Sequence, residues 1–484
     1  MADLNKFITD RKSLIIAPAG YGKTHAITSC VRLCNNGKKC LILTHTHAGV
    51  ASIKDKMKKE GLSPSLYTID TICSFALQYT NAYHINKSEI PDVENSNEYF
   101  KFAITTASKL VNSLPIKEAI RSSYSHIIVD EYQDCTIQQH NLIVSLSEII
   151  PTHLLGDHLQ GIFGFNGERL VDMENKVEMQ GFEENKQMLT IPWRWNNAGA
   201  ANLGSSLDSI RVHLLNKRSI DFREYSAHID SYIYPEADLY KKDTKYQKII
   251  WNELNNANTN SLLIIHPNSA IPDERIKINK LFGNRLRLIE SIDNKEYYQY
   301  AKDFDSSTMN NIYDLILNLC LYIFKSSAIK SFIKDDGTRK KKKFAIDKLI
   351  SSSLNESVEK LLGTKSFLEA ICLIKKIGLL PENKCYRKDF LHDMLKALET
   401  AHIENITVYN AMKKNRDILR RIGRRVTGRC IGSTLLTKGL EFDTVIVLNA
   451  HKYKDPKNFY VAITRASKKL IIISQTNIIH PYSL

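Results

Sequence analysis

The chain has 484 residues, 43% of them hydrophobic and 25% charged, which excludes global disorder. Only 20 Gly and 12 Pro exclude collagen-like and low-complexity readings and leave room for long helices. With 67 Lys and Arg against 52 Asp and Glu, the net charge of +15 favours a polyanionic partner, since clustered cations release condensed counterions from nucleic acid.

The stretch from Met1 to Gly20 has no apolar segment followed by a small-residue cleavage site, so no secretory signal is expected. No apolar run approaches the roughly 18–20 residues needed to cross a bilayer. The longest candidate, Leu315 to Phe324, is interrupted by Asn318 and reads as a buried helix. Nine dispersed cysteines without a C-x-x-C pair predict a reducing, cytoplasmic location. Cys30, Cys34 and Cys40 raise the question of a metal centre, but no fourth ligand has suitable spacing, and small buried thiols are the simpler reading.

Short apolar runs alternate with helical patterns over the first 200 residues, the signature of a parallel sheet with crossover helices. Strands are expected at Ser13 to Ala17, Cys40 to Thr44, His126 to Val129 and His153 to Leu155. The polar stretch Asn81 to Leu114 reads as a small inserted subdomain rather than as core. A second α/β unit begins at Ser261 to His266 and takes further strands from Thr444 to Asn449 and Leu470 to Ser474. Residues 286–424 read as a mostly helical insertion into it, with helical periodicity over Ile312 to Phe324.

Between the first strand and its helix lies Ala17-Pro18-Ala19-Gly20-Tyr21-Gly22-Lys23-Thr24, the context of a phosphate-binding loop. Glycines let backbone N–H groups curl around phosphates, Lys23 reaches the β/γ oxygens, and Thr24 holds Mg²⁺. Ala17 stands where the strict G-x-x-x-x-G-K-T pattern has its first Gly. A hundred residues on, His126-Ile127-Ile128-Val129 runs into Asp130-Glu131-Tyr132-Gln133-Asp134, which presents carboxylates at the ligand-binding edge of a parallel sheet. Asp130 is a candidate for Mg²⁺, and Glu131 for polarising the attacking water.

These motifs, followed in order by Gly156-Asp157-His158-Leu159-Gln160, Lys438-Gly439-Leu440-Glu441-Phe442-Asp443 and Tyr460-Val461-Ala462-Ile463-Thr464-Arg465-Ala466, resemble those of UvrD/Rep-type superfamily 1 DNA helicases. The match runs with gaps from about residue 13 to 475. The resemblance implies an α/β fold of two RecA-like P-loop domains, each with a short, mainly helical insertion, that clamp ATP and walk 3′ to 5′ on single-stranded DNA. Residues 1–77 and 118–197 then form domain 1A, with 78–117 a reduced 1B insertion. Residues 198–285 and 425–484 form domain 2A, with 286–424 a reduced 2B-like insertion.

The family also implies roles. Gln160 senses the γ-phosphate, while Arg194 in Ile191-Pro192-Trp193-Arg194-Trp195 and Arg465 are arginine fingers. The forked guanidinium suits the developing equatorial charge of phosphoryl transfer. Trp193 takes the place of the usual adenine-stacking Tyr, and Glu441 couples the DNA site to the nucleotide. DNA-facing positions are Thr44-His45-Thr46-His47, Thr68-Ile69-Asp70 and the base-stacking Phe165.

Three departures from the family stand out. The adenine-reading Gln motif is missing, because barely a dozen residues precede the first strand. Asn166 replaces an Arg, and Leu435 replaces the His three residues before Lys438. The short insertions leave a competing class open, a nucleotide-gated sensor or assembly subunit that binds DNA ends and hydrolyses ATP without processive unwinding. RNA is a third substrate option. No nuclease domain is expected after Arg465. By size and general likeness it resembles the helicase subunit of Gabija-type antiphage systems, which implies antiviral defence beside an OLD-type nuclease subunit. Two basic clusters remain, Lys340 to Lys343 and Met412 to Arg429. The latter holds eight Lys and Arg against the single acid Asp417, and its Arg420, Arg421, Arg424 and Arg425 form one helical stripe suited to nucleic acid.

Overall fold

The computed structural model describes residues 2–34, 37–91, 96–162, 164, 168–290, 295–338, 340–364, 366–422 and 426–482. Two compact units emerge, one from the described residues of Met1–Ile233 and Lys438–Leu484, the other from those of Tyr234–Arg420 and Arg425–Thr437.

Six parallel strands lie in the first unit: β1 (Lys12–Ile16), β2 (Lys39–Thr44), β3 (Tyr67–Thr71), β4 (Tyr124–Val129), β5 (Thr152–Gly156) and β6 (Lys186–Met188), ordered β3-β2-β4-β5-β1-β6. Side chains alternate across a strand, so each apolar run divides by parity. Leu14, Ile16, Leu41, Leu43, Ile127, Val129 and Leu154 enter one core cluster, whereas Ile15, Ala17, Cys40, Ile42, Ile128 and Leu155 enter another. Burial on both faces is what a parallel sheet covered by helices requires. The expected strands at Ser13, Cys40, His126 and His153 are all present; β3 and β6 were not expected. Both are short and polar, and β6 leaves Lys186 and Met188 exposed at the sheet's edge. The stretch 81–114 is partly core, because Ile104, Ala107 and Val111 pack into the first of those clusters.

Each unit holds three further parallel strands. The first unit supplies β8 (Asp230–Ile233), β12 (Phe442–Val447) and β13 (Ala466–Ser474), with β13 central among them. It also holds a small antiparallel pair, β7 (Ile220–Asp221) with β14 (Ile478–Ile479). The second unit supplies β9 (Leu262–Ile265), β10 (Arg287–Leu288) and β11 (Arg429–Gly432). The rest of the second unit is largely helical. Helices Lys295–Ser306, Ile312–Ile323, Ala345–Thr364, Phe367–Gly378, Lys388–Glu404 and Val408–Ile422 surround one cluster containing Tyr297, Ile316, Cys320, Ile374, Phe390 and Leu398. No described helix is long and apolar enough to cross a membrane.

Candidate functional site

Because the first sheet is parallel, the residues following β1, β4 and β5 collect along the edge formed by its strands' C-terminal ends. The loop after β1 is anchored by Ala17 N–H donating to Gly156 O at 2.8 Å. Gly20 and Gly22 adopt φ of +80° and +84°, a region that L side chains resist. Helix Lys23–Leu33 then begins on Gly22, which has no side chain to cap the first-turn N–H groups. Uncapped N–H groups at a helix N-terminus suit a phosphate.

Lys23 Nζ lies 3.3 Å from Asp130 Oδ1 and forms an ion pair with Glu131. Burial alone lowers the lysine's pKa, but the two carboxylates outweigh it and hold the ammonium charged. Glu131 sits at φ +53° in the turn that ends β4, a conformation sparsely adopted by residues with a Cβ. Burial pushes its carboxyl up, yet Lys23 and then Lys438 prevail and hold it down at about 2. Asp130 moves the other way: burial raises it despite Lys23. Its buried Oδ1 faces the Lys23 ammonium, and Asp130 and Thr24 are the residues that would hold a cation here. No group of three or more His, Cys, Asp or Glu among the described residues is placed to hold a metal, so bound Mg²⁺ would depend on phosphate oxygens. Cys30, Cys34 and Cys40 are buried and outside any disulfide.

Gln160 follows β5, and its Nε2 donates to Asp157 Oδ2 at 2.8 Å. Asp157 is fully buried, and its backbone N–H donates to Gln133 Oε1 at 2.9 Å. Gln133 Nε2 donates in turn to Glu131 and, at 3.2 Å, to Asp134. Lys438 completes the cluster by pairing with Asp134 and donating to Gln160 O. Burial raises Asp134 to about 6 even with that lysine beside it. The sequence reading quoted Gln133, Asp157 and Lys438 inside motifs but gave them no part.

Arg194 reaches the same unit's C-terminal stretch, with Nε donating to Glu441 Oε2 at 2.9 Å and Nη1 to Thr464 O at 2.6 Å. Its backbone N–H donates to Gly20 O, which ties it to the phosphate loop. Arg465 is 1% exposed and donates to Val461 O, Leu440 O and Thr464 Oγ1. Burial first, and repulsion from Arg194 second, push its pKa down to about 9. Burial also lowers Arg194, against the pull of Glu441. Two guanidiniums disfavoured in this way, in one unit with a phosphate loop, fit a polyanion such as a triphosphate.

Trp193 is 44% exposed, and a Cβ added to Gly22 would lie 2.9 Å from its Cδ1, so the indole flanks the loop with room to stack. Trp195, given no role by the sequence reading, is buried against Gly20 and donates from Nε1 to Ala466 O at 2.9 Å.

Among the expected DNA-facing positions, Thr44 is buried, and Thr46 caps helix His47–Lys59 by accepting from Gly49 N–H. Burial and Lys438 lower His45 to about 4. Asp70 accepts from Gln78 Nε2 at 2.9 Å, Thr68 and Ile69 lie within β3, and Leu435 is 40% exposed. Phe165, Asn166, Arg424 and Arg425 lie outside the described residues, as do the side chains of Arg420 and Arg421. The basic cluster is smaller than its sequence implies. Arg416 is buried on Asp393 at 3.1 Å, and Lys414 pairs with Glu404 at 2.6 Å. In the other run, Lys342 Nζ lies 3.6 Å from the Phe332 ring centroid.

Comparison with known proteins agrees with this geometry. A family described as an AAA domain matches residues 2–166. An ATP-dependent helicase/nuclease subunit of Lactococcus lactis subsp. cremoris (strain SK11) is 24% identical over 192 residues, covering 36% of this chain and 15% of that protein. The exonuclease/helicase subunit RexA of strain MG1363 is 25% identical over 173 residues, covering 32% and 14%. The ATP-dependent DNA helicase Rep of Buchnera aphidicola subsp. Schizaphis graminum is 24% identical over 474 residues, covering 82% of this chain and 67% of that one. The chain thus matches only about a seventh of the length of the first two relatives and about two thirds of the third.

Proposed function

The chain belongs to the UvrD/Rep-type superfamily 1 helicases, and on that premise we propose that it is an ATP-dependent DNA translocase or helicase acting 3′ to 5′ on single-stranded or 3′-tailed DNA. One observation carries the reading: Lys23, Asp130, Glu131 and the Asp157–Gln160 pair meet at one sheet edge. A triphosphate in the loop draws Lys23 off its two acids. Glu131, relieved of that cation, becomes a better proton acceptor for the attacking water, and Gln160 orients that water. Thr24 and Asp130 would hold Mg²⁺, which when bound would supply charge neutralisation at the phosphates. Arg194 and Arg465 stabilise the transition state, Trp193 stacks on the base, and Glu441 links Arg194 to the DNA side. Ala17, Gly20 and Gly22 shape the cradle.

In this reading 1–77 with 118–197 and 198–285 with 425–484 are the two RecA-like domains, and 78–117 and 286–424 are their insertions. A cytoplasmic defence role beside an OLD-type nuclease subunit extends the reading and rests on the family resemblance alone. The test is ATP turnover by the purified chain with and without single-stranded DNA at low salt, followed by strand displacement on a 3′-tailed duplex. DNA-stimulated turnover with unwinding is the expected result. Turnover without unwinding supports the DNA-end sensor instead, and turnover indifferent to DNA overturns both.

A further inference from the structure

Helix Ala201–Leu215 lies outside every motif of the sequence, yet two of its polar side chains reach the nucleotide site. Its apolar face is set by Leu203, Leu207, Ile210 and Leu214, and Arg211 falls on that face, 4% exposed. Arg211 Nη1 donates to Asp157 Oδ1 at 2.6 Å, and its guanidinium carbon is 5.3 Å from the Tyr460 ring centroid. Tyr460 Oη accepts from Ala19 N–H of the phosphate loop at 3.4 Å. One turn earlier, Asp208 Oδ1 accepts from Tyr21 Oη of the same loop at 2.9 Å. The helix therefore holds the loop directly through Asp208, indirectly through Tyr460 under Arg211, and holds Asp157 through Arg211.

We propose that Arg211 is a positioning residue for ATP hydrolysis, acting through Asp157 on the Gln160 amide. The inference rests on the hydrolytic reading above. Asp157 has one oxygen on Arg211 and the other on Gln160 Nε2. A carboxylate only accepts, so it fixes the Gln160 amide with Nε2 inward and Oε1 facing away, as the acceptor a water proton needs. Arg211 fixes the plane of the Asp157 carboxylate through a charge-assisted hydrogen bond on Oδ1, and so sets where Oδ2 meets the Gln160 amide. Without that bond the carboxylate is free to turn, and the amide loses its fixed orientation.

The test is a double-mutant cycle on ATP turnover. R211M is expected to lower kcat about tenfold or more while KM for ATP stays within about twofold, because the phosphate loop itself is intact. Q160A lowers kcat as well, and R211M in the Q160A background should cost no more than about twofold further. R211K, which keeps the charge but loses the fork, should recover part of the loss. If R211M does not fold, the same cycle runs with R211K in wild-type and Q160A backgrounds. Losses that multiply, or a variant as fast as wild type, overturn the proposal while leaving the hydrolytic reading intact. A wild-type chain without turnover overturns that reading, and this inference with it.

Discussion

Both units bury arginines, but they treat them differently. In the second unit Arg387 donates from Nε to Glu290 at 2.6 Å and from Nη1 to Glu296 at 3.1 Å, and its guanidinium carbon lies 4.1 and 4.5 Å from the ring centroids of Tyr322 and Phe390. Arg416 is likewise matched to Asp393, with Tyr297 beneath it at 3.4 Å. In the first unit the acceptors of Arg465 are carbonyls and a hydroxyl, and Arg194 shares a carboxylate that is itself largely exposed. Arg387 and Arg416, each matched to a carboxylate and an aromatic ring, are neutralised where they stand. A buried cation held mainly by neutral dipoles keeps its charge available for an incoming anion. The contrast separates Arg387 and Arg416, whose ion pairs specify packing in the helical unit, from Arg194 and Arg465 of the first unit, whose charge is left for chemistry.

The largest expected effects fall on the charged groups of the first unit. Lys23→Ala should abolish hydrolysis, and Glu131→Gln should reduce turnover by about a thousandfold while fluorescent-nucleotide binding persists. Undiminished turnover in either variant would remove the assigned roles. Next, Arg194→Ala should lower kcat by at least about a hundredfold with little change in the denaturation midpoint. Arg387→Ala should do the reverse, costing about 3–5 kcal/mol of stability by stranding Glu290, while turnover per folded molecule holds. Equal stability losses in the two variants would erase the distinction between the units.

Much of the first unit was legible because its motifs are local. A strand, a glycine turn and Lys23 lie within a dozen residues, and the apolar run of β4 ends directly in its acids. What escaped depends on long-range pairing. Lys438 finds Asp134 across 304 residues, and Arg211 finds Asp157 across 54. A signal for Arg211 did exist, since an arginine four residues after Leu207 on an apolar stripe demands a buried anion. The Met412 to Arg429 cluster erred in the opposite sense. Charge counting treats every basic residue as exposed, whereas Arg416 faces the core with Ala411 and Met412. The short strands β6 and β10 carry too few residues for alternation to register.

A smaller effect concerns acid. His153 is fully buried in the first unit, and burial, aided by the neighbouring His126, lowers it to about 3. The Ser13 hydroxyl donates to Phe7 O, so the imidazole donates from Nδ1 to Ser13 Oγ at 2.8 Å. That leaves Nε2 buried without a partner among the described residues, and a proton placed there finds no acceptor. A histidine depressed in the fold is protonated first in the unfolded chain. Its contribution is therefore intact above about pH 6.5 and is lost as pH falls toward about 3, at up to about 1.4 kcal/mol per pH unit. His153→Gln should flatten that limb in denaturant melts. Hydrogen exchange at pH 4.5 should show protection lost in the first sheet before the helices around Arg387. Simultaneous loss would mean that the acid sensitivity is not seated at this histidine.

The least of the expected effects falls on the Arg420, Arg421, Arg424 and Arg425 stripe. On helix Val408–Ile422 the buried face is taken by Ala411, Met412, Asn415 and Arg416, and Arg416 is neutralised by Asp393. Grip on a nucleic acid must then come from residues beyond that turn. Each phosphate neutralised on single-stranded DNA contributes about 0.7 to the slope of log affinity against log salt. Replacing all four arginines with alanine should flatten that slope by at most about 3, with ATP turnover in the absence of DNA unchanged. An unaltered slope would place these arginines, like Arg387 and Arg416, among the cations that serve the fold, and would leave DNA binding to the first unit.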